Sequence, residues 1–401
     1  MNQKDPLGTW GLVTLASIPL IMTLGNSMLI PVLPIFEEEV GITSFQSSMI
    51  ITSYSVAAIF LIPIAGFLSD RYGRKVVILP SLFLTFIGGL IAGFASWQLD
   101  DPFGWMIVGR ILQGIGASGA TPIILPLVGD LYKDDDEKAS SCLGIVETSN
   151  TFGKALSPII GALFASFLWY LPFFSISVFS VISFVLVVIF IKAPRNLGKP
   201  PGFKTFIAKT KKIFQIEGPW LYTIFIIGAY VMLLLFGELF YLSDIFEKEY
   251  DVDGVRKGVL IAMPLIVLCI TSFLTGKWIK GSLTVMKTVI VLSMTLLSVS
   301  IIFVGMAESV ETLLVVTSIT GLAIGALLPT LDAMITENIE KDAKGTITSL
   351  YSAARFIGVA AGPPLMSLLM QDYTEESYIL AGIFGVLIIC AVLFFIRPNR
   401  T

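Results

Sequence analysis

Apolar residues run through the chain in long blocks bounded by charges and turn residues. Twelve such blocks lie near 10–34, 46–68, 76–96, 104–129, 139–166 and 170–192, then 219–243, 258–278, 285–306, 311–334, 346–370 and 377–396. A helix needs about 20 residues to cross a bilayer, and each block is long enough. The pattern predicts an all-α membrane protein with twelve transmembrane helices. Residues 193–218, between the sixth and seventh blocks, hold Pro194, Gly198, Pro200, Pro201 and Gly202 among clustered lysines. That composition predicts a basic linker with an interfacial helix, dividing a six-helix half at 1–192 from another at 219–401.

The halves resemble each other. Gly66 corresponds to Gly276, Gly114 and Pro122 to Gly321 and Pro329, and Gly153 and Ser157-Pro158 to Gly358 and Gly362-Pro363, with the offset drifting slowly from 210 to 205. Ordered matches of this kind imply two pseudo-symmetric units. An even number of spans puts both termini on one side. Of the 26 Lys and Arg, 20 fall in the termini and loops of that side, and only Lys248, Arg256 and Lys257 fall on the other. The positive-inside rule then predicts cytoplasmic termini in a plasma-membrane protein.

Composition narrows the function. Hydrophobic residues make up 55% of the chain and charged residues 14%, against about 25% charged in soluble domains. Scattered basic residues and a net charge of −3 leave no footprint for nucleic acid. With no His, imidazole catalysis and His-ligated zinc are excluded. Cys142, Cys269 and Cys390 lie apart in apolar blocks and read as packing residues. The first block lacks a small-residue cleavage site and should remain as a helix rather than be removed as a signal. No GxxxxGK[ST] occurs, and the GxGxxG at Gly114–Gly119 lies inside a span with no strand before it, so neither ATP nor a dinucleotide is implied. These readings predict neither an enzyme nor a cofactor or metal site.

The short loop after the second block reads Gly66-Phe-Leu-Ser-Asp70-Arg71-Tyr-Gly73-Arg74-Lys75. Asp70 among cations at a helix end can form a charge-assisted network, and the glycines suit a tight turn. This stretch resembles the loop signature of the major facilitator superfamily, Gly-x-x-x-Asp-Arg-x-Gly-Arg-Lys, in full. Arg110-Ile-Leu-Gln113-Gly114-Ile-Gly116-Ala117 resembles the family's second motif, and Leu24-Gly25 with Pro31-Val-Leu-Pro34 resembles the first-helix pattern of its twelve-helix drug:proton antiporters. In the fifth block, Gly153, Pro158 and Gly161 match the antiporter pattern, while Ser157 and Ala162 replace two of its glycines with other small residues. The resemblance implies alternating access around a central cavity, with the loop signature taking part in a cytoplasmic gate.

Ionisable residues within spans are costly, about 3 kcal/mol each on insertion scales, and are therefore functional candidates. They are Arg110, Glu147, Lys154, Glu238, Asp332 and Arg355. Without His, a carboxylate must carry any coupled proton, and burial is what brings a carboxyl's titration towards working pH. Glu147 and Glu238 lead, with Asp332 behind them. Arg110, with Gln113 and Asn26, and Lys154 with Arg355, are candidates for the charge network of the cavity. Arg110 is expected to organise a membrane carboxylate, with Glu238 as its partner. Glu147 and Lys154 share a helix face but stand about 10 Å apart, so each needs another partner. The acidic runs Glu37–Glu39 and Asp134–Glu137 read as solvated loops.

The function expected is proton-coupled export of small amphipathic organic compounds or drugs by a monomer. A proton-coupled importer or solute symporter of the same fold is the rival within transport. A non-transporting receptor, whose cavity carboxylates would be dispensable, is the rival outside it.

Overall fold

The computed structural model describes residues 7–132, 136–192, 203–279, 282–339, 341–370 and 372–396, and among these it is helical throughout, without strands. Helix α1 (Gly8–Ser27) passes through a 3-10 turn at Ile30–Val32 into α2 (Leu33–Val40), forming one broken span. Then come α3 (Ser44–Tyr72), α4 (Arg74–Gln98) and α5 (Phe103–Ser118), which continues through a 3-10 turn at Thr121–Ile123 into α6 (Ile124–Leu131). Helices α7 (Asp136–Phe167) and α8 (Leu171–Phe190) complete the first half. The second holds α9 (Phe203–Lys248), α10 (Gly254–Trp278), α11 (Leu283–Val304), α12 (Val310–Asn338), α13 (Lys341–Leu369) and α14 (Thr374–Phe395).

Local sequence explains the breaks. Pro31 and Pro122 stand near the start of the two 3-10 turns, where their missing N–H is tolerated. Gly41, at φ 70°, ends α2, and Thr43 starts α3 through a capping box with Gln46. Gly73 adopts φ 103°, a conformation that disfavours a side chain, and so joins α3 to α4 with no intervening loop.

Among the described residues, eleven stretches are long and apolar enough to cross a membrane. The helix not among them is α7, which carries Glu147 and Lys154 within its length. Its place comes from packing, because α1 lies against it on one side and α10 on another. With α7 the spans number twelve. The linker expected at 193–218 divides: residues 193–202 lie outside the described residues, whereas Phe203 onwards is helix and runs unbroken into α9, 46 residues long.

Helix pairings repeat between the halves. In the first, α1 packs on α7 and α8, α3 on α5, and α4 on α5 and α8. In the second, α9 packs on α13 and α14, α10 on α12, and α11 on α12 and α14. The halves meet through α3 against α13 and α10 against α7, two contacts related by the same exchange. The glycine correspondences sit at equivalent crossings. A Cβ on Gly114 would strike the backbone of α3 at Tyr54, and one on Gly321 would strike the backbone of α10 at Pro264. Two helices approach that closely only where one lacks a side chain.

The membrane face with the α3–α4 junction, where Arg71, Arg74 and Lys75 lie, is the basic face; the opposite one, with the α9–α10 turn, is the acidic face.

Candidate functional site

Arg110 on α5 has no solvent-accessible surface. Its Nε donates to the Ile50 carbonyl at 2.8 Å and its Nη1 to the Gly25 carbonyl at 3.0 Å and Gln113 Oε1 at 2.6 Å. Nη2 donates to Asn26 Oδ1 at 2.7 Å, and the guanidinium lies 4.6 Å from the centre of the Tyr54 ring. Asn26, Gln113 and Arg110 therefore do form one network, drawn from α1, α3 and α5. The expected carboxylate partner is absent from it. Glu238 on α9, in the other half, accepts instead from Thr320 Oγ1 on α12, 2.8 Å from each of its oxygens. A guanidinium's rigid fork suits backbone carbonyls as well as carboxylates, so neutral acceptors and an aromatic face satisfy Arg110 without a counter-ion.

The other intramembrane charges gather at the boundary between the halves. Lys154 and Glu147, both on α7, lie within electrostatic reach of Asp332 on α12 and Arg355 on α13. Arg355 Nη1 stands 3.7 Å from Asp332 Oδ1, and its guanidinium is 5.7 Å from the Tyr351 ring centre. Glu147 accepts from Asn150 Nδ2 at 3.2 Å, and Asn150 Oδ1 accepts in turn from Thr23 Oγ1 on α1 at 2.5 Å. Glu147 is exposed, and the Asp332 and Arg355 side chains keep 36% and 18% of their surface. These three groups therefore keep solvent-accessible surface at the boundary between the halves. Glu147 lies roughly 16 Å along α7 from its basic-face end, at 1.5 Å per residue. Lys154, two turns deeper, is buried at 7% exposure, and among the described residues its Nζ has no hydrogen-bond partner.

Glu238 is buried at 3% exposure and sits apart from this cluster, and among the described residues no cation pairs with it. The Tyr378 hydroxyl, within electrostatic reach of Glu238, is buried without a hydrogen-bond partner among the described residues. The small residues of α7 work as close contacts. A Cβ on Gly153 would crowd Leu20 of α1, one on Gly161 would meet the Met28 backbone, and the Pro158 carbonyl lies where a side chain at Gly258 of α10 would go.

At the basic face, Arg74 pairs with Asp70 and donates from Nη1 to Ser69 Oγ at 2.8 Å and from Nε to Asp130 Oδ2 at 3.0 Å. Lys75 Nζ donates to the carbonyls of Val188 and Ile191, at 3.0 and 2.7 Å, at the end of α8. Arg71 lies 5.7 Å from the Tyr72 ring centre. Gly66 turns its bare face towards Ser349 of α13 across the boundary. Asp130 in α6 was not singled out from sequence, where one acidic residue near a span end carries no signal.

At the acidic face the sequence reading needs correction. Glu37 is no loop residue: it lies in α2, its side chain 12% exposed, accepting from Ser44 Oγ at 2.8 Å and Ser47 Oγ at 2.9 Å. Lys248, at the end of α9, reaches Glu37 Oε2 at 3.0 Å and Asp244 Oδ1 at 2.5 Å, which ties the halves together. Beside it, Lys257 of α10 is paired with Glu247, and Ser243 Oγ donates to the Ile30 carbonyl at 2.8 Å. Helix α2 continues α1 past the break at Pro31, which carries Glu37 inward against α3. Asp134 and Asp135 of the second acidic run lie outside the described residues.

The sequence profile of the Major Facilitator Superfamily matches residues 15–288 and 283–401. The chain belongs to the major facilitator superfamily. Among superfamily relatives, it is 50% identical over 390 residues to the bacillibactin exporter of Bacillus subtilis (strain 168), covering 97% of both chains. It is 22% identical over 384 residues to the quinolone resistance protein NorA of Staphylococcus aureus (strain MRSA252), covering 92% of this chain and 93% of NorA. The crystal structure of the human organic anion transporter MFSD10 shares the fold with a TM-score of 0.76 at 16% identity, covering 95% of this chain and 98% of that one. The protein is thus a multi-pass membrane transporter of the superfamily and not an enzyme.

Proposed function

We propose that this transporter exports bacillibactin, or a compound closely like it, across the plasma membrane in exchange for protons. Identity of 50% along almost the whole of both chains to the bacillibactin exporter carries this reading. The drug-resistance relatives are far more distant, which favours one substrate type over a broad range of drugs. The positive-inside rule makes the basic face cytoplasmic, with both termini on it. In that orientation the Glu37–Lys248–Asp244 tie closes the outside while Glu147, Asp332 and Arg355 stay open to the cytoplasm, as a loading state requires.

Coupling is assigned to Glu238. It is a buried carboxyl on a helix that lines the boundary between the halves, and its hydrogen-bond partner is a neutral hydroxyl. Taking up a proton there removes a whole buried charge and changes which conformation is favoured. Glu147 is water-exposed and Asp332 stands beside Arg355, so neither is a deeply buried carboxyl without a cation in the way that Glu238 is. Proteoliposomes loaded with a pH-sensitive dye provide the test. Bacillibactin added on one side should drive proton movement and be carried against its gradient when a pH difference is imposed. Absence of both sinks the proposal; transport without proton movement sinks the coupling alone.

A further inference from the structure

We infer that Lys154 of α7 and Arg355 of α13 form an anion-binding subsite at the boundary between the halves, taking a carboxylate or similar oxyanion of the carried compound. The inference rests on the transport reading above and narrows its substrate class.

The chain's other deeply buried cations supply the contrast. Arg110 places four hydrogen bonds on neutral acceptors and stacks on Tyr54. Lys257, 1% exposed, is paired with Glu247. Lys154 is also buried, roughly 20 Å along α7 from the acidic-face end, yet among the described residues none of its three N–H donors finds an acceptor. Buried cations are otherwise paired, because an ammonium stripped of water loses its hydration and gains nothing in return. Glu147 and Asp332 act on Lys154 through space, but neither accepts a hydrogen bond from it. Glu147 is held by Asn150, and Asp332 stands at 3.7 Å from Arg355, the outer limit of an ion pair.

Lys154 and Arg355 lie within electrostatic reach of each other, and an oxyanion taken up there would supply the missing acceptor to one and a second partner to the other. The two cations come from different halves, so a bound anion would also bridge the surfaces that move against each other. Arg355 offers a planar fork and Lys154 a compact point charge, which together suit a carboxylate better than a cation or a neutral drug.

Salicylate and its neutral counterpart salicylamide, titrated calorimetrically into the purified full-length protein, test the subsite. The parental protein should bind salicylate at least about tenfold more tightly. Lys154→Met and Arg355→Gln should each reduce that preference to under about threefold with salicylamide affinity unchanged, and Lys154→Arg should keep it. Ligand-free Lys154→Met should melt above the parental protein, since it removes an unpartnered charge. Equal or absent binding of both compounds by the parental protein overturns the subsite. So does a preference that survives Lys154→Met, or a Lys154→Met protein that melts lower or fails to fold. Bacillibactin export is scored separately. Export without salicylate preference removes only the subsite, and preference without export removes only the proposed substrate.

Discussion

At the residue scale, Arg110 has its donors filled by neutral acceptors and its face against a tyrosine ring. Its four acceptors and the Tyr54 ring belong to the first half alone, so its loss should be felt in folding. Arg110→Ala leaves buried carbonyls and two amide side chains unpaired, and should cost about 3 kcal/mol or more, read as a lower melting temperature in detergent. Arg110→Lys should recover little, because an ammonium cannot reproduce the fork. If Arg110→Ala melts like the parent but no longer transports, the residue serves substrate and not structure. Glu238 should behave oppositely. Glu238→Gln keeps an acceptor for Thr320, so stability should hold and exchange of bacillibactin across the membrane should continue, while uptake driven by an imposed pH gradient should fall at least about tenfold. Full proton-driven transport by Glu238→Gln would move the coupling site elsewhere.

At the scale of elements, the tie between α2 and α9 is the part whose effect on conformation can be sized. Lys248 is 47% exposed, so its pairs with Glu37 and Asp244 are worth roughly 1 kcal/mol or less. Lys248→Ala should therefore raise the population open at the acidic face only about two- to fivefold. A cysteine at Ser243, buried beside the Ile30 carbonyl, would report it by reacting correspondingly faster with a thiol reagent applied from that face. An unchanged rate would mean that packing, not the ion pairs, holds the face shut. Sequence was informative where a signal is local. Long apolar blocks gave the helices, and the loop signature brought Asp70 to Arg74. It failed where the partner is distant in the chain. Glu37 looked like one of three solvated acids, and only the break at Pro31 and the return of α9, 211 residues later, make it a tie. Arg110 failed for another reason: residue type announces that a buried charge needs a partner, but carbonyls, available everywhere, leave no trace in sequence.

For the whole molecule, orientation is the first thing to measure. Single cysteines at Ser282 and Ser309, the caps of α11 and α12, lie on opposite faces. In cells, Ser282→Cys should react only with reagents that enter the cytoplasm and Ser309→Cys with impermeant ones, and the reverse would invert the positive-inside assignment. The twofold relation was legible in the glycines because close helix crossings admit few residues, as Gly114 and Gly321 illustrate. The charge cluster was not, because its members come from α7, α12 and α13, and no local spacing brings those together. That α7 spans by its packing and not by its apolarity also bears on how the protein is made. During synthesis the first helices can leave the translocon by partitioning into lipid, but α7 emerges with Glu147 and Lys154 exposed and gains little from doing so. It has α1 already in place to lean on, while α10 has not yet been synthesised. A nascent chain ending soon after α7 would then hold that helix loosely, and its secure insertion waits on the arrival of the second half.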